Sequence, residues 1–332
     1  MVEKWCKLRL MTREGVLQRP PLPIPSKTAY FPAKNGINAD LQREVLYRAG
    51  TKNLVCALEY GSHVTGDAGK NSMHDIIIIV DDVKQFHIDG LRLHGADYAQ
   101  PHLAQWHAFL NHYGLNYYHT EIRGQDDQIF SAKLVVISKD DFIRGCSGTL
   151  VEGEKDPNRR GAFGMYVAGR VQKAAFFPYH NKGEEEKALI EAAINTARID
   201  GVWYALGFLN KKFTYDELLK TYVSLSYWAD VRVEKRGKIE TLIKNHEKDY
   251  REMLEPIIQG FINQGLIKIE EEGFGWYEKT YSPSVIETQL RLLNLKKIAF
   301  LTNYLKNPLT AGLTHGLVYA IAKVARAAKS WR

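Results

Sequence analysis

Residues 74–82 read HDIIIIVDD, and the five consecutive branched aliphatic residues Ile76 to Val80 leave this strand without a polar face. A strand of that kind is stable when both sides of its sheet are covered, which calls for an α/β fold. Asp75 enters the apolar run at its start. A carboxylate at the edge of an apolar sheet is costly unless it is paired or bound to a metal. Asp75 is therefore the first residue to which a function is assigned.

The flanking segments supply the rest of a small sheet. NADLQREVLYRAG (38–50) predicts a short helix stopped by Gly50. NLVCALEYGS (53–62) predicts a strand running into a Gly-Ser turn, and VKQFHIDGLRLH predicts a helix after the isoleucine strand. GLNYYHTEI and IFSAKLVVISKDDFI read as two further strands, rich in β-branched and aromatic residues. The working groups then lie along one edge of a mixed sheet. Farther on, KGEEEKALIEAAINTARIDGVWYALGFL reads as a long helix. TYDEL (214–218) offers a capping box, with Thr214 at the cap and Glu217 three residues later. A helix over about 237–264 ends at Gly265, and LIKIEEEGFGWYEKTYS reads as a hairpin. Helices followed by a terminal hairpin suggest a winged helix. RPPLPIPSK (19–27) is an ordered arm or linker, because its prolines fix φ and remove donors.

Charge narrows the partners. The 332-residue chain carries +7, and the segment from Thr288 to Arg332 holds eight basic residues and no Asp or Glu. The excess is therefore local, and it points to an anionic partner. No run of about eighteen apolar residues predicts a transmembrane helix. The N-terminus lacks a signal-peptide core, and a transit-peptide reading is weak. Cys6, Cys56 and Cys146 are scattered, which fits a reducing compartment and argues against a zinc knuckle or disulfide frame.

A Gly-Ser turn leaving a strand, with an aspartate on the next strand, is how nucleotidyltransferases are built. The backbone N–H groups of Tyr60-Gly61-Ser62 and the Ser62 hydroxyl can cradle triphosphate oxygens, and Asp75 can hold Mg²⁺. An ordinary turn gives the same short pattern. Asp81 and Asp82 lie about 20 Å along an extended strand from Asp75, too far to share its ion. Glu121, Asp126, Asp127 or water is left as the second ligand. Lys133 is a charge inside an apolar strand, either a phosphate contact or an edge lysine reaching for water. Arg170 and Lys173 sit three apart, spaced for one phosphate or for a solvated helix face. Eight of the eleven histidines fall between His63 and His119. No HxxxH or HExxH pattern joins them, so surface or core roles are expected for most.

The segment PLTAGLTHGLVYAIAKVARAAKSWR (308–332) is amphipathic. Leu309, Leu313, Leu317, Ile321, Val324 and Ala328 form one stripe, with Tyr319, Lys323, Arg326 and Ser330 opposite. It reads as a helix packed on the body or as one lying in an anionic membrane interface, where Lys323, Arg326, Lys329 and Trp331 would meet headgroups.

Taken in order, YGS, MHDIIIIVDDVKQFH, YY, KLVVIS, MYVAGRVQK and LSYWADVR resemble the mitochondrial-type CDP-diacylglycerol synthases of the translocator assembly and maintenance family. The resemblance implies a nucleotidyltransferase-fold domain (37–183) after an N-terminal arm (1–36). A winged-helix domain (184–284) and a basic, membrane-associating tail (285–332) follow. It implies Mg²⁺-dependent transfer of CMP from CTP to phosphatidic acid by a peripheral protein with no nucleic-acid partner. The location would be the cytoplasmic face of a bacterial membrane, or the matrix face of the mitochondrial inner membrane. Carried over by residue, Tyr60, Gly61 and Ser62 bind the triphosphate, Asp75 holds the metal and Lys133 neutralises phosphate. Arg170 and Lys173 contact nucleotide or lipid phosphate, and His87, Asp230 and Arg232 match positions of the cleft. Val83 stands where the family has proline. A nucleotidyltransferase acting on RNA or protein, and a winged-helix DNA-binding regulator, are the competing expectations.

Overall fold

The computed structural model describes residues 39–50, 52–66, 72–94, 104–112, 116–123, 129–147, 170–171, 175–180, 183–228, 237–271, 275–280, 282–283 and 289. The chain divides into two compact units. One comprises Tyr30–Phe142, Lys173–Lys187 and Ala299–Arg332, and the other Met1–Ala29, Ile143–Gln172 and Ala188–Ile298.

The first unit is built on a five-stranded sheet. Its strands are β1 (Leu54–Tyr60), β2 (His74–Val80), β3 (Asn116–Arg123), β4 (Ile129–Ser138) and β5 (Ala175–His180), in the order β3-β4-β2-β1-β5. β2 and β4 run parallel and the other pairs antiparallel, so the sheet is mixed. The isoleucine strand is the central one, and Ile76 to Val80 are all buried. Its neighbours explain why no polar residue was tolerated there.

Helix α1 (Ala39–Ala49) covers one face with Leu41, Val45 and Ala49, spaced four apart as an amphipathic helix requires. Phe86 of α3 (Val83–His94) joins them against Ile76, Ile78, Val80, Leu134 and Val136. Each fully buried aliphatic side chain contributes about 1.5–3 kcal/mol. Asn53 fastens the start of β1 to the end of β2. Its Nδ2 donates to the Asp82 carbonyl and its Oδ1 accepts from the Asp82 N–H, both at 2.8 Å. The Asp82 carboxylate accepts from Gln85 N–H at 3.0 Å and so caps α3. α4 (Ala104–His112) packs against α3.

Three local readings differ from the sequence expectations. β4 ends at Ser138, and KDDFI opens helix α5 (Lys139–Ser147), because the Ser138 hydroxyl caps the Asp141 N–H at 3.1 Å. β5 was not expected as a strand; its Pro178 is tolerated because it lies on an edge strand of the sheet. β4 lies between β3 and β2, so Lys133 is not an edge lysine.

Most of α6 (Glu184–Phe208) belongs to the second unit, with α7 (Tyr215–Trp228), α8 (Lys238–Asn263) and an antiparallel sheet ordered β6-β8-β7. These strands are β6 (Lys212–Thr214), β7 (Ile267–Glu271) and β8 (Trp276–Lys279). The capping box is formed: Glu217 N–H donates to Thr214 Oγ1 at 3.2 Å, and Thr214 N–H to Glu217 Oε2 at 2.8 Å. α8 kinks at His246, and the chain leaves it at Gly265 with φ +69°. Lys279 Nζ donates to the Leu206 and Leu209 carbonyls at 2.8 and 2.5 Å, satisfying acceptors at the end of α6. A Cβ on Gly201 would stand 2.6 Å from the Tyr222 ring, so α6 and α7 approach too closely there for any side chain. Among the described residues no helix is long and apolar enough to cross a membrane.

Candidate active site

β1 ends at Tyr60 and the chain turns on Gly61 at φ +86°, ψ −154°. L side chains rarely adopt a φ of that sign. A one-turn helix, α2 (Ser62–Thr65), follows at once. Thr65 N–H returns to the Gly61 carbonyl at 3.4 Å, and Gly66 at φ +75° ends the helix. A Cβ on Gly61 would lie 3.0 Å from Asp75 Oδ2. Gly61 is thus required twice, for its backbone and for the space beside that oxygen.

Tyr60 is the antiparallel register partner of Asp75, and Asp75 is the parallel register partner of Lys133. The three residues form a row across β1, β2 and β4. Lys133 Nζ pairs with Asp75 Oδ1 and stands over the Tyr60 ring, 5.6 Å from its centroid. The Asp75 side chain is 27% exposed and that of Lys133 14%, so the pair looks outward from the edge of the core. This answers what Asp75 holds in the protein alone: an ammonium, which also offsets the cost of placing Lys133 in an apolar strand. The structure therefore brings together Tyr60, Gly61, Asp75 and Lys133, with the exposed Ser62 next in the turn.

Asp81, Asp82, Glu121 and His87 stand elsewhere in the first unit. Asp81 pairs with Lys139 at 3.3 Å and Asp82 caps α3, so neither faces the Asp75 oxygen. Glu121 is on β3, which pairs with β4 and not β2. Two strand spacings, roughly 10 Å, separate it from the strand of Asp75. His87 is fully buried, with its ring 5.5 Å from that of His107 on α4. Burial, and secondarily His107, lower its pKa to about 3, so it is neutral in the folded protein. Arg170 belongs to the second unit. Lys173, Asp126, Asp127, Asp230, Arg232, Lys323, Arg326, Lys329 and Trp331 lie outside the described residues. Cys56 and Cys146 are buried and burial pushes both thiols up, so neither is a ready nucleophile.

One cluster escaped the sequence reading. Glu59, His63 and His74 each place a donor atom within 4.8 Å of the other two. His74 Nδ1 donates to Glu59 Oε1 at 2.7 Å, and His63 Nε2 donates to the Ser72 carbonyl at 2.8 Å. The two imidazoles stack with centroids 3.6 Å apart. Ten residues lie between the histidines in sequence, and the turn between β1 and β2 closes that distance.

The Asp75 site suits a hard divalent cation. It offers a partly exposed carboxylate oxygen beside a space kept open by a glycine, and Mg²⁺ binds through one or two carboxylates plus substrate phosphates. Asp75 would hold such an ion. Bound there, the ion would offset phosphate charge.

A family model described as mitochondrial phosphatidate cytidylyltransferase matches residues 44–296. Among curated proteins none matches the chain significantly. The matched span takes in β1, the Gly61 turn, Asp75, Lys133 and all the described elements of the second unit. With that much of its 332 residues covered, the chain belongs to the mitochondrial phosphatidate cytidylyltransferase family, a family of nucleotidyltransferases that make CDP-diacylglycerol.

Proposed function

We propose that the row Tyr60–Asp75–Lys133, with the Gly61–Ser62 turn, is the site at which CMP passes from CTP to phosphatidic acid, with Mg²⁺ as cofactor. An oxygen of the phosphatidate headgroup attacks the α-phosphorus of CTP. A P–O–P bond forms, the bond from the α-phosphorus to the α,β-bridging oxygen breaks, and pyrophosphate leaves with the electron pair. CDP-diacylglycerol is the lipid product. A phosphate monoester has its second pKa near 6, so the nucleophile is largely dianionic at pH 7 and needs no strong general base. The obstacle is repulsion between two anions, and catalysis is mainly electrostatic and positional.

The chain's own groups divide that work. The Lys133 ammonium neutralises phosphate oxygens, and the Tyr60 ring beneath it restrains its position. Backbone N–H groups of the Gly61 turn and the Ser62 hydroxyl donate to the triphosphate. Asp75 is the metal ligand and holds Lys133 in line when no ion is present. The resemblance alone supports phosphate contacts for Arg170 and Lys173 and cleft roles for His87, Asp230 and Arg232. The helices α7 and α8 with the sheet β6-β8-β7 support a winged-helix reading of the second unit. The basic tail supports attachment to an anionic lipid surface, on the membrane face that carries phosphatidate. That would be the cytoplasmic face in a bacterium or the matrix face of the mitochondrial inner membrane.

The observation carrying this reading is the carboxylate–ammonium pair placed directly beside a glycine whose missing side chain leaves the Asp75 oxygen uncrowded. The full chain, given CTP, Mg²⁺ and phosphatidic acid, should release pyrophosphate and form CDP-diacylglycerol in equal amounts, and chelation should stop both. Label from α-labelled CTP arriving in RNA or protein instead of lipid would overturn it.

A further inference from the structure

We infer that Glu59, His63 and His74 form a second metal site, selective for a transition metal of the zinc class and separate from the Asp75 site. The donor set is two imidazoles and one carboxylate, whose donor atoms already lie within 4.8 Å of each other. Two histidines and a glutamate are a recurrent zinc ligand set, with a fourth position left to water. Imidazole nitrogen favours zinc, copper, iron or nickel, whereas carboxylate and phosphate oxygens favour magnesium. The two sites therefore sort their ions by ligand chemistry.

The strands keep the sites apart. Glu59 is the register partner of Ile76, and His74 lies two residues before Ile76 on β2, so both belong to the sheet face covered by α1 and α3. Asp75 and its partners Tyr60 and Lys133 alternate to the opposite face. Glu59 is 3% exposed, and the His74 ring lies edge-on to Phe130 at 6.0 Å. A buried carboxylate in such surroundings gains from a dication.

The hydrogen bonds prepare the ligands. A carbonyl can only accept, so His63 Nε2 carries the proton toward Ser72 and Nδ1 keeps its lone pair. Metal-bound histidines are commonly oriented by such a bond from the other ring nitrogen. At His74 an entering ion takes the place of the Nδ1 proton directed at Glu59, and the ring carries its proton on Nε2 instead, so the imidazole stays neutral. Turning the stacked rings onto one ion uses χ2, a soft torsion.

The ligands bracket the Gly61 turn: Glu59 precedes it, His63 follows it and His74 belongs to the paired strand. A bound ion would tie α2 to both strands and fix the turn. Ion binding itself does not depend on the cytidylyltransferase reading, and its test uses no turnover.

The test is zinc binding by the untagged full chain, measured by competition with a chromophoric chelator in millimolar Mg²⁺. Wild type should bind one tight equivalent. His63→Ala and His74→Ala should each weaken it by about a hundredfold or more, and Asp75→Ala should leave it unchanged. Glu59→Gln, which keeps a hydrogen bond to His74, should weaken it at least about tenfold while its circular dichroism stays native. No tight equivalent in wild type, or equal binding in all four variants, would overturn the site. Loss of zinc in Asp75→Ala with retention in His74→Ala would overturn it too.

Discussion

Asp75 and Lys133 are partners twice over: they are backbone register neighbours on the parallel strands β2 and β4, and their side chains close an ion pair at the edge of the core. The strand pairing places the ammonium where the carboxylate needs it without help from any loop. The same pair therefore bears on both stability and chemistry, and substitution can separate the two roles.

Asp75→Asn keeps the shape and removes the charge. CMP transfer should fall by about a thousandfold or more, equivalent to about 4 kcal/mol of transition-state stabilisation. Loss of the carboxylate charge facing the Lys133 ammonium should cost about 1–3 kcal/mol of folding stability. Adding Lys133→Met should recover most of that stability and none of the activity. Urea melts and a pyrophosphate assay on the three proteins decide the matter. Restored turnover in the double variant would show that the pair is structural alone.

Gly61→Ala tests the space beside Asp75. The new Cβ must accept φ +86° and stand 3.0 Å from Asp75 Oδ2. We expect stability to drop by about 1–2 kcal/mol. Activity should fall at least tenfold, with a raised KM for CTP. Unchanged KM beside lowered stability would confine Gly61 to a backbone role.

The local grammar of the chain was legible where short-range chemistry decides it. The isoleucine run announced a strand buried on both faces, Gly50 and Gly265 marked helix ends, and Thr214 with Glu217 announced a capping box that the hydrogen bonds confirm. What sequence did not reveal was order across the sheet. Nothing local states that β4 lies between β3 and β2, so Lys133 could be read as an edge residue and Glu121 as a neighbour of Asp75. β6 is three residues long, too short for a periodic signal, and its partner β8 comes some sixty residues later. The Glu59–His63–His74 cluster has no spacing motif because a turn and a strand pairing, not one helix, assemble it.

The basic segment from residue 309 to 332 should matter for the form in which the lipid is presented. Deleting it should lower CMP transfer on liposomes rich in phosphatidic acid by about tenfold. On detergent-dispersed phosphatidic acid the loss should be under twofold, since each basic residue near an anionic surface contributes about 1 kcal/mol. Raising salt should shrink the difference by screening the attraction. Equal losses on both substrates would remove the membrane role and leave the segment as part of the fold.

His87 gives the folded protein a specific sensitivity to acid. Its imidazole is buried against α4 and His107, which lowers its pKa to about 3 from the ordinary value near 6.5. Between those two values the unfolded chain binds a proton at this position that the folded chain refuses. Stability from this group is therefore complete above about pH 6.5 and is lost as pH falls toward 3. By pH 5 the loss reaches about 2 kcal/mol. Acidic groups also lose their pairing in acid, so the informative quantity is the difference between wild type and His87→Gln, which cannot titrate. Chemical denaturation at pH 7 and pH 5 should show a stability drop about 2 kcal/mol smaller in the variant. If the two proteins lose the same amount, protonation of His87 is not resisted by the fold, and the buried pair with His107 does not hold it neutral.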